Sequence, residues 1–229
     1  MTPQVPWLRV FVEGVVIVGS ILLAFGIDAA WEERQEREEE RALIQEIRTT
    51  LSEDLENVTQ EADTMIWVNE GLQSLIQSLE AGAELDSVDP DHQRAFLALH
   101  RFVVVTVRYG PFETLKARGF DLVSNPALRV RLTSLYEDQF PRLIENSEID
   151  RQLSRERILP YMLEYLELDT GGNWVARQRV PEARSLGLTL ARYRLETLAR
   201  FYLPSFETTI ELMKETLDEI DAELRGLGG

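Results

Sequence analysis

The chain has 229 residues, 44% hydrophobic and 28% charged, which suits a folded domain and excludes wholesale disorder. A net charge of −16 excludes a broad nucleic-acid surface, because phosphate backbones demand clustered lysine and arginine, and it would repel an anionic lipid surface outside any anchor. Cysteine is absent, which removes disulfides, thiol catalysis and thiolate metal sites together.

The first predicted element is a membrane-spanning helix. Gly14 to Ile27 (GVVIVGSILLAFGI) carries no charge, and Glu13 and Asp28 bracket it. Trp7 and Trp31 would stand roughly 36 Å apart on a helix rising ~1.5 Å per residue, which matches the headgroup zones on either side of a hydrocarbon core ~30 Å thick. Tryptophan favours those zones because its ring is apolar while its N–H stays wet. Trp7, Arg9 and Trp31 are therefore expected as interface anchors in a bilayer entered by residues 7–31. Glu13 and Asp28 are expected as intramembrane polar contacts, since a carboxylate is costly at that depth and marks function by default. Arg9, four residues before Glu13 on the same helical face, is the bland alternative partner for that carboxylate. Cleavage as a signal peptide competes with the anchor: Ala24-Phe25-Gly26 has a small-x-small pattern, and Arg9 fits a positive n-region. Glu13 would interrupt the apolar core of such a signal, and the helical pattern runs on past the cut, so retention is expected.

Charge counting leaves the orientation open. Arg34, Arg37 and Arg41 outnumber Arg9 and the α-amino group, which by the positive-inside rule mildly favours a cytoplasmic C-terminal domain. Those three arginines are interleaved with glutamates in WEERQEREEER, where helical neighbours neutralise them.

The span is predicted to continue without a break into a long helix, since no proline or helix-ending glycine falls between Trp31 and Asn69. Apolar positions recur at Ile44, Ile47, Leu51, Leu55, Val58, Ala62, Met65, Leu72, Ile76 and Leu79, the spacing of one buried stripe. No stripe lies between Trp31 and Ala42, which reads as a solvated stalk. Asn57-Val58-Thr59 matches a glycosylation acceptor but falls inside this helix and is discounted.

Ala81 to Asp91 (AGAELDSVDPD) is the first predicted break. Phe102 to Val107 (FVVVTV) is rich in β-branched residues, as a strand would be. No partner strand is evident elsewhere, and a lone strand has nowhere to send its backbone hydrogen bonds, so the segment is predicted to be a buried helix. Pro111 opens the next helix and Gly119 closes it. Asn125-Pro126 reads as a cap and first helical residue. Breaks are predicted at Pro141, Pro160, Gly171-Gly172, Pro181 and Pro204. In the last helix, Ser205 to Leu224, Phe206, Ile210, Met213, Leu217, Ile220 and Leu224 recur at coiled-coil-like spacing, with the long first helix as the obvious partner. The expected fold class is all-α: a single N-terminal transmembrane helix (1–31) continuing into a stalk and long bundle helix (32–82), then an antiparallel helical bundle (83–229).

Two stretches resemble an uncharacterised family of bacterial single-span membrane proteins. The anchor of that family carries Gly-Glu, an apolar run with a central glycine, then Asn or Asp before Trp and acidic residues. Glu13-Gly14, Gly19, Asp28, Trp31 and Glu32-Glu33 are similar in order, with the first pair reversed. Phe112-Glu113-Thr114-Leu115-Lys116-Ala117-Arg118-Gly119, followed by Leu122, Asn125, Leu128 and Arg129, is similar to its aromatic-Glu-x-Leu-Lys-x-x-Gly segment. The resemblance implies a helical C-terminal domain and an N-in, C-out topology in the bacterial inner membrane. It implies no reaction, cofactor or substrate.

No phosphate-binding glycine loop, dinucleotide fingerprint or His-Glu-x-x-His motif is present. His92 and His100 lie about 2.2 helical turns apart, too far along the axis for one metal, and are expected as surface or capping residues. No cofactor and no metal is expected. Arg94, Arg101, Arg108, Lys116 and Arg118 form a basic-rich zone in an acidic chain. It could receive an acidic partner surface or an anionic ligand, and pairing with Glu and Asp inside the domain is the competing reading. The expected function is that of a non-enzymatic inner-membrane accessory or scaffold subunit. Its span would dock on transmembrane helices of other integral membrane subunits, and its helical domain would stand in the periplasm and hold partner proteins. A respiratory or photosynthetic complex would suit such a subunit, though no residue selects one. The alternative is a homo-oligomer handling ions or protons through a ring of Glu13 carboxylates. An enzyme acting through the bundle stands third.

Overall fold

The computed structural model describes residues 7–82, 90–177 and 181–227, with the side chains of 7–10 and 12 excepted. The side chains of Trp7 and Arg9 thus lie outside the described residues, as does most of the break expected at Ala81 to Asp91.

With no proline between Trp7 and Glu80, helix α1 (Trp7–Glu80) runs unbroken for 74 residues, roughly 110 Å at ~1.5 Å per residue. Its end is made by Gly82, whose φ of 100° lets its N–H turn back onto the Leu79 carbonyl. Two stretches of α1 differ in surroundings. Residues 13–39 are exposed on every side. From Leu43 onward one stripe is buried, including Ile44, Ile47, Leu51, Val58, Ala62, Met65, Leu72, Ile76 and Leu79, with Leu55 partly buried.

Glu40 marks the change. Although it falls in the stretch read as a solvated stalk, it is buried, and its carboxylate accepts from the Ser124 N–H (2.6 Å) and hydroxyl (2.9 Å). Glu223 holds the neighbouring Asn125 amide at 2.9 Å. The turn at Ser124–Asn125 is therefore clamped between the first helix and the last.

Helix α2 (Pro90–His100) packs on α1 where Gly71 leaves room for it. A Cβ on Gly71 would stand 2.4 Å from that of Ala98. The segment after it, 101–109, forms neither a helix nor a sheet strand, and so is not the predicted buried helix. Val103 and Val105 point inward while Val104 and Thr106 are exposed, the alternation that β-branched residues favour. Absence of a partner strand did not force the segment into a helix, because it lies on the surface of α1 without joining a sheet.

Helix α3 (Gly110–Arg118) ends at Gly119, φ 103°, and a 3₁₀ turn (Phe120–Leu122) leads to Asn125. Asn125 caps α4 (Pro126–Ser134) by accepting from Ala127 and Leu128 N–H, as the sequence predicts.

Three of the predicted proline breaks are not breaks. Helices α4, α5 (Phe140–Leu153) and α6 (Leu159–Tyr165) join through π-turns at Leu135–Gln139 and Ser154–Ile158. Helices α7 (Pro181–Thr197) and α8 (Leu203–Gly226) join through one at Leu198–Tyr202. Each π-turn sits just ahead of Pro141, Pro160 or Pro204. The amide of the residue before each proline reaches back five residues: Phe140 to Leu135, Leu159 to Ser154, Leu203 to Leu198. Proline lacks an N–H and its ring collides with the carbonyl four residues back. One extra residue in the turn gives that carbonyl room and lets the helix continue.

Between α6 and α7, β1 (Leu166–Leu168) pairs antiparallel with β2 (Trp174–Ala176). Their turn is built on Asp169, which accepts from the Gly171 and Asn173 N–H groups at 2.8 Å each, with Gly172 at φ 81°. The described residues are thus mostly helical with two short strands, and the all-α class fits.

The last two helices return along α1. Arg184 of α7 donates to the Leu79 carbonyl and Arg192 pairs with Glu80, while Asp221 of α8 pairs with Arg48. Helix α7 thus meets the last turn of α1, and the far end of α8 lies back near Arg48. On α8 the buried face is Phe206, Thr209, Met213, Thr216 and Ile220, with Ile210, Leu217 and Leu224 partly buried.

Candidate functional site

The exposed part of α1 has two unlike faces. At ~3.6 residues per turn, Glu13, Ser20 and Asp28 fall within roughly 80° of one another about the helix axis, with Glu13 and Asp28 about 22 Å apart along it. The Ser20 hydroxyl donates to the Val16 carbonyl at 2.8 Å, so this polar atom has its partner inside the helix. The opposite side carries a shallow apolar groove lined by Phe11, Gly14, Val15, Val18, Gly19 and Leu22. A Cβ at Gly14, Gly19 or Gly26 would meet nothing within 4 Å. Trp31 is 69% exposed just beyond Asp28. The mean hydropathy of this stretch reaches 2.0, long and apolar enough to cross a membrane, and none of it is covered by the rest of the chain.

The basic-rich zone is not one surface. Arg108 pairs with Glu53 and lies 3.7 Å from Asp54, whose other oxygen accepts the Arg108 N–H at 3.0 Å. Lys116 meets Glu137 at 3.1 Å and Glu113 at 3.5 Å. Arg118 meets Glu39 at 3.1 Å. Their acidic partners on α1, Glu53 and Glu39, stand about 21 Å apart along the helix. Arg94 and Arg101 are exposed and have no ion pair among the described residues. Burial pushes the Asp54 carboxyl above the usual range, with the Arg108 N–H and guanidinium opposing.

His92 is not the surface residue expected, whereas His100, in the last turn of α2, sets its Nδ1 3.4 Å from the Phe96 carbonyl. His92 is 3% exposed, with its ring 3.1 Å from the Ser78 hydroxyl and edge-on to Phe96. His100 is partly buried, edge-on to Trp174, and burial lowers its pKa. Both follow from α2 packing its apolar side inward, which carries these imidazoles with it. Among the described residues no three His, Asp or Glu side chains are placed to hold one metal ion.

A buried ion pair escapes the motif reading altogether. Arg194 of α7 is fully buried, pairs with Asp150 of α5 through 2.9 and 2.7 Å hydrogen bonds, and donates to the carbonyls of Ala98, Leu99 and Arg101. It thereby satisfies the carbonyls at the end of α2, which would otherwise lack partners. The signal was positional. Arg194 sits in the series Ala183, Gly187, Ala191, Leu198, Tyr202, and Asp150 in the series Phe140, Leu143, Ser147, Ser154, Ile158. A charge where the helical period asks for an apolar residue marks a buried pair.

No family model, curated protein or solved structure matches this chain.

Proposed function

We propose that this chain is a single-span membrane scaffold subunit: α1 crosses the bilayer, docks laterally on the transmembrane helices of other proteins, and carries a helical bundle that holds partner domains. The observation that carries the reading is the exposed stretch 13–39 of α1, apolar between Glu13 and Asp28 and covered by no other element. In water such a surface is an association site. In a bilayer it is solvated, and the polar residues on one of its faces then gain most by meeting another helix. Glu13, Ser20 and Asp28 form the docking face, and Gly14 and Gly19 allow close approach on the other. The bundle begins at Glu40, about 18 Å past Asp28 along the helix, so the solvated helix between them acts as a spacer. The N-in, C-out orientation in a bacterial inner membrane rests on the resemblance of the anchor and of Phe112–Gly119 to single-span proteins.

Purification of the full chain in mild detergent is the test. Co-purification with an unlike membrane protein, weakened by Glu13→Leu while insertion is kept, is the expected result. A monomer, or an assembly of this chain alone, refutes docking on other proteins, and the latter outcome favours the Glu13 ring. A cysteine placed at Asn173, in a chain with no other, reports orientation. Labelling by an impermeant reagent with the inner membrane intact is expected, and protection would reverse the topology.

A further inference from the structure

The stretch 102–107 belongs to no helix or sheet and lies against α1 with its side chains alternating between buried and exposed, as in a strand. Among the described residues none of its backbone N–H or C=O groups has a hydrogen-bond partner. Val103 and Val105 are only 3% and 6% exposed. Backbone groups at such positions are nearly always paired, with protein or with ordered water. A row of unpaired groups along an alternating extended segment is a strand edge, the template on which another strand adds. Successive residues send their N–H and C=O to alternate sides, so Phe102, Val104 and Thr106 serve one edge and Val103, Val105 and Val107 the other.

A shallow groove of about 200 Å³ follows this edge, with Val104, Val105 and Thr106 on one wall and Asn57, Val58, Gln60 and Glu61 of α1 on the other. That volume holds one side chain and not a whole strand, so an added backbone would run along the open rim. The α1 wall offers two amides and one carboxylate, and Glu61 has no ion pair among the described residues. No cation lines the groove: Arg108 is held by Glu53 and Asp54, and Arg101, exposed just before the stretch, is not among the lining residues. A basic side chain is what this wall complements.

We propose that 102–107 receives a strand from a partner protein: an extended peptide of β-branched residues with a lysine or arginine placed to meet Glu61. A second copy of this chain fits less well. Val104–Thr106 lie beside residues 57–61 and the Arg108 N–H bonds Asp54, so the stretch runs along α1. Antiparallel pairing of two copies would set their α1 helices head to tail, and their apolar ends could not enter one bilayer. That preference rests on the membrane reading above. The strand edge itself does not, so a chain whose span docks on nothing would still take the peptide.

The test uses the full chain in detergent micelles and capped synthetic peptides, with hydrogen exchange read on the fragment covering 102–107. Acetyl-KVTVKV-amide is expected to slow exchange there by at least about tenfold at saturation. Acetyl-EVTVEV-amide, and KVTVKV with N-methylated valines, should not. Glu61→Gln should weaken the basic peptide, and Glu61→Lys should shift preference to the acidic one. Unchanged exchange with KVTVKV overturns the proposal. So does protection already present in the free protein that grows with its concentration, since the edge would then belong to a second copy. Equal binding of both peptides overturns the role of Glu61 and, with it, the basic partner.

Discussion

Arg194 is where a single side chain decides the most. Its guanidinium is fully buried between α7, α5 and the end of α2, and it serves Asp150 and three backbone carbonyls at once. A planar fork of five donors can do this, and the compact ammonium of lysine cannot. Arg194→Leu leaves Asp150 buried without its partner and three carbonyls unsatisfied, so a loss of about 3–5 kcal/mol is expected in denaturant unfolding of the full chain. Arg194→Leu combined with Asp150→Leu should lose less than Arg194→Leu alone, because no charge is then stranded. Equal stability of Arg194→Leu and the unaltered protein would show that the pair carries no structural role. The pair was legible only as a violation of period. No motif announces it, since its members lie on different helices and meet through tertiary packing.

At the scale of elements, α1 and α2 approach as closely as they do because Gly71 has no side chain. A Cβ there would overlap that of Ala98. Gly71→Ala should destabilise by about 1–3 kcal/mol through forced separation of the two helices. Ala98→Gly in the same chain should restore part of the loss, and thermal unfolding of the two variants checks it. No rescue would place the cost in α1 itself. Helical periodicity made the stripes of α1 and α8 and the Asn125 cap readable, because these follow from local spacing. It misled at Pro141, Pro160 and Pro204, where a π-turn absorbs the ring. It also misled at 102–107, where strand propensity was sound but was set aside for want of a partner strand. The hairpin of β1 and β2 was invisible because its strands are three residues each, shorter than any periodicity can register.

On the scale of the whole molecule, one helix joins two environments. Residues 13–39 are exposed and residues from Glu40 onward are packed, yet no break separates them. A rigid connection of this kind would transmit the angle and rotation of the exposed stretch to the packed domain, as the proposed scaffold role requires. Of the candidate basic surface, Arg108 and Arg118 pair with acids of α1 and Lys116 with Glu113 and Glu137, while Arg94 and Arg101 have no ion pair among the described residues. Sequence spacing left open which of these pairs would form, because Glu53 and Glu39 lie far away in the chain. The exposed apolar helix was legible in full, since it depends on composition and length alone.

Photo-crosslinking from position 20, in the native membranes of the cell that makes this protein, tests the central claim most directly. Ser20 lies between Glu13 and Asp28 on the face that should dock. An adduct joining this chain to an unlike transmembrane protein is expected from position 20, stronger than from position 18 on the opposite face. Adducts with lipid alone, or only with further copies of this chain, would contradict it.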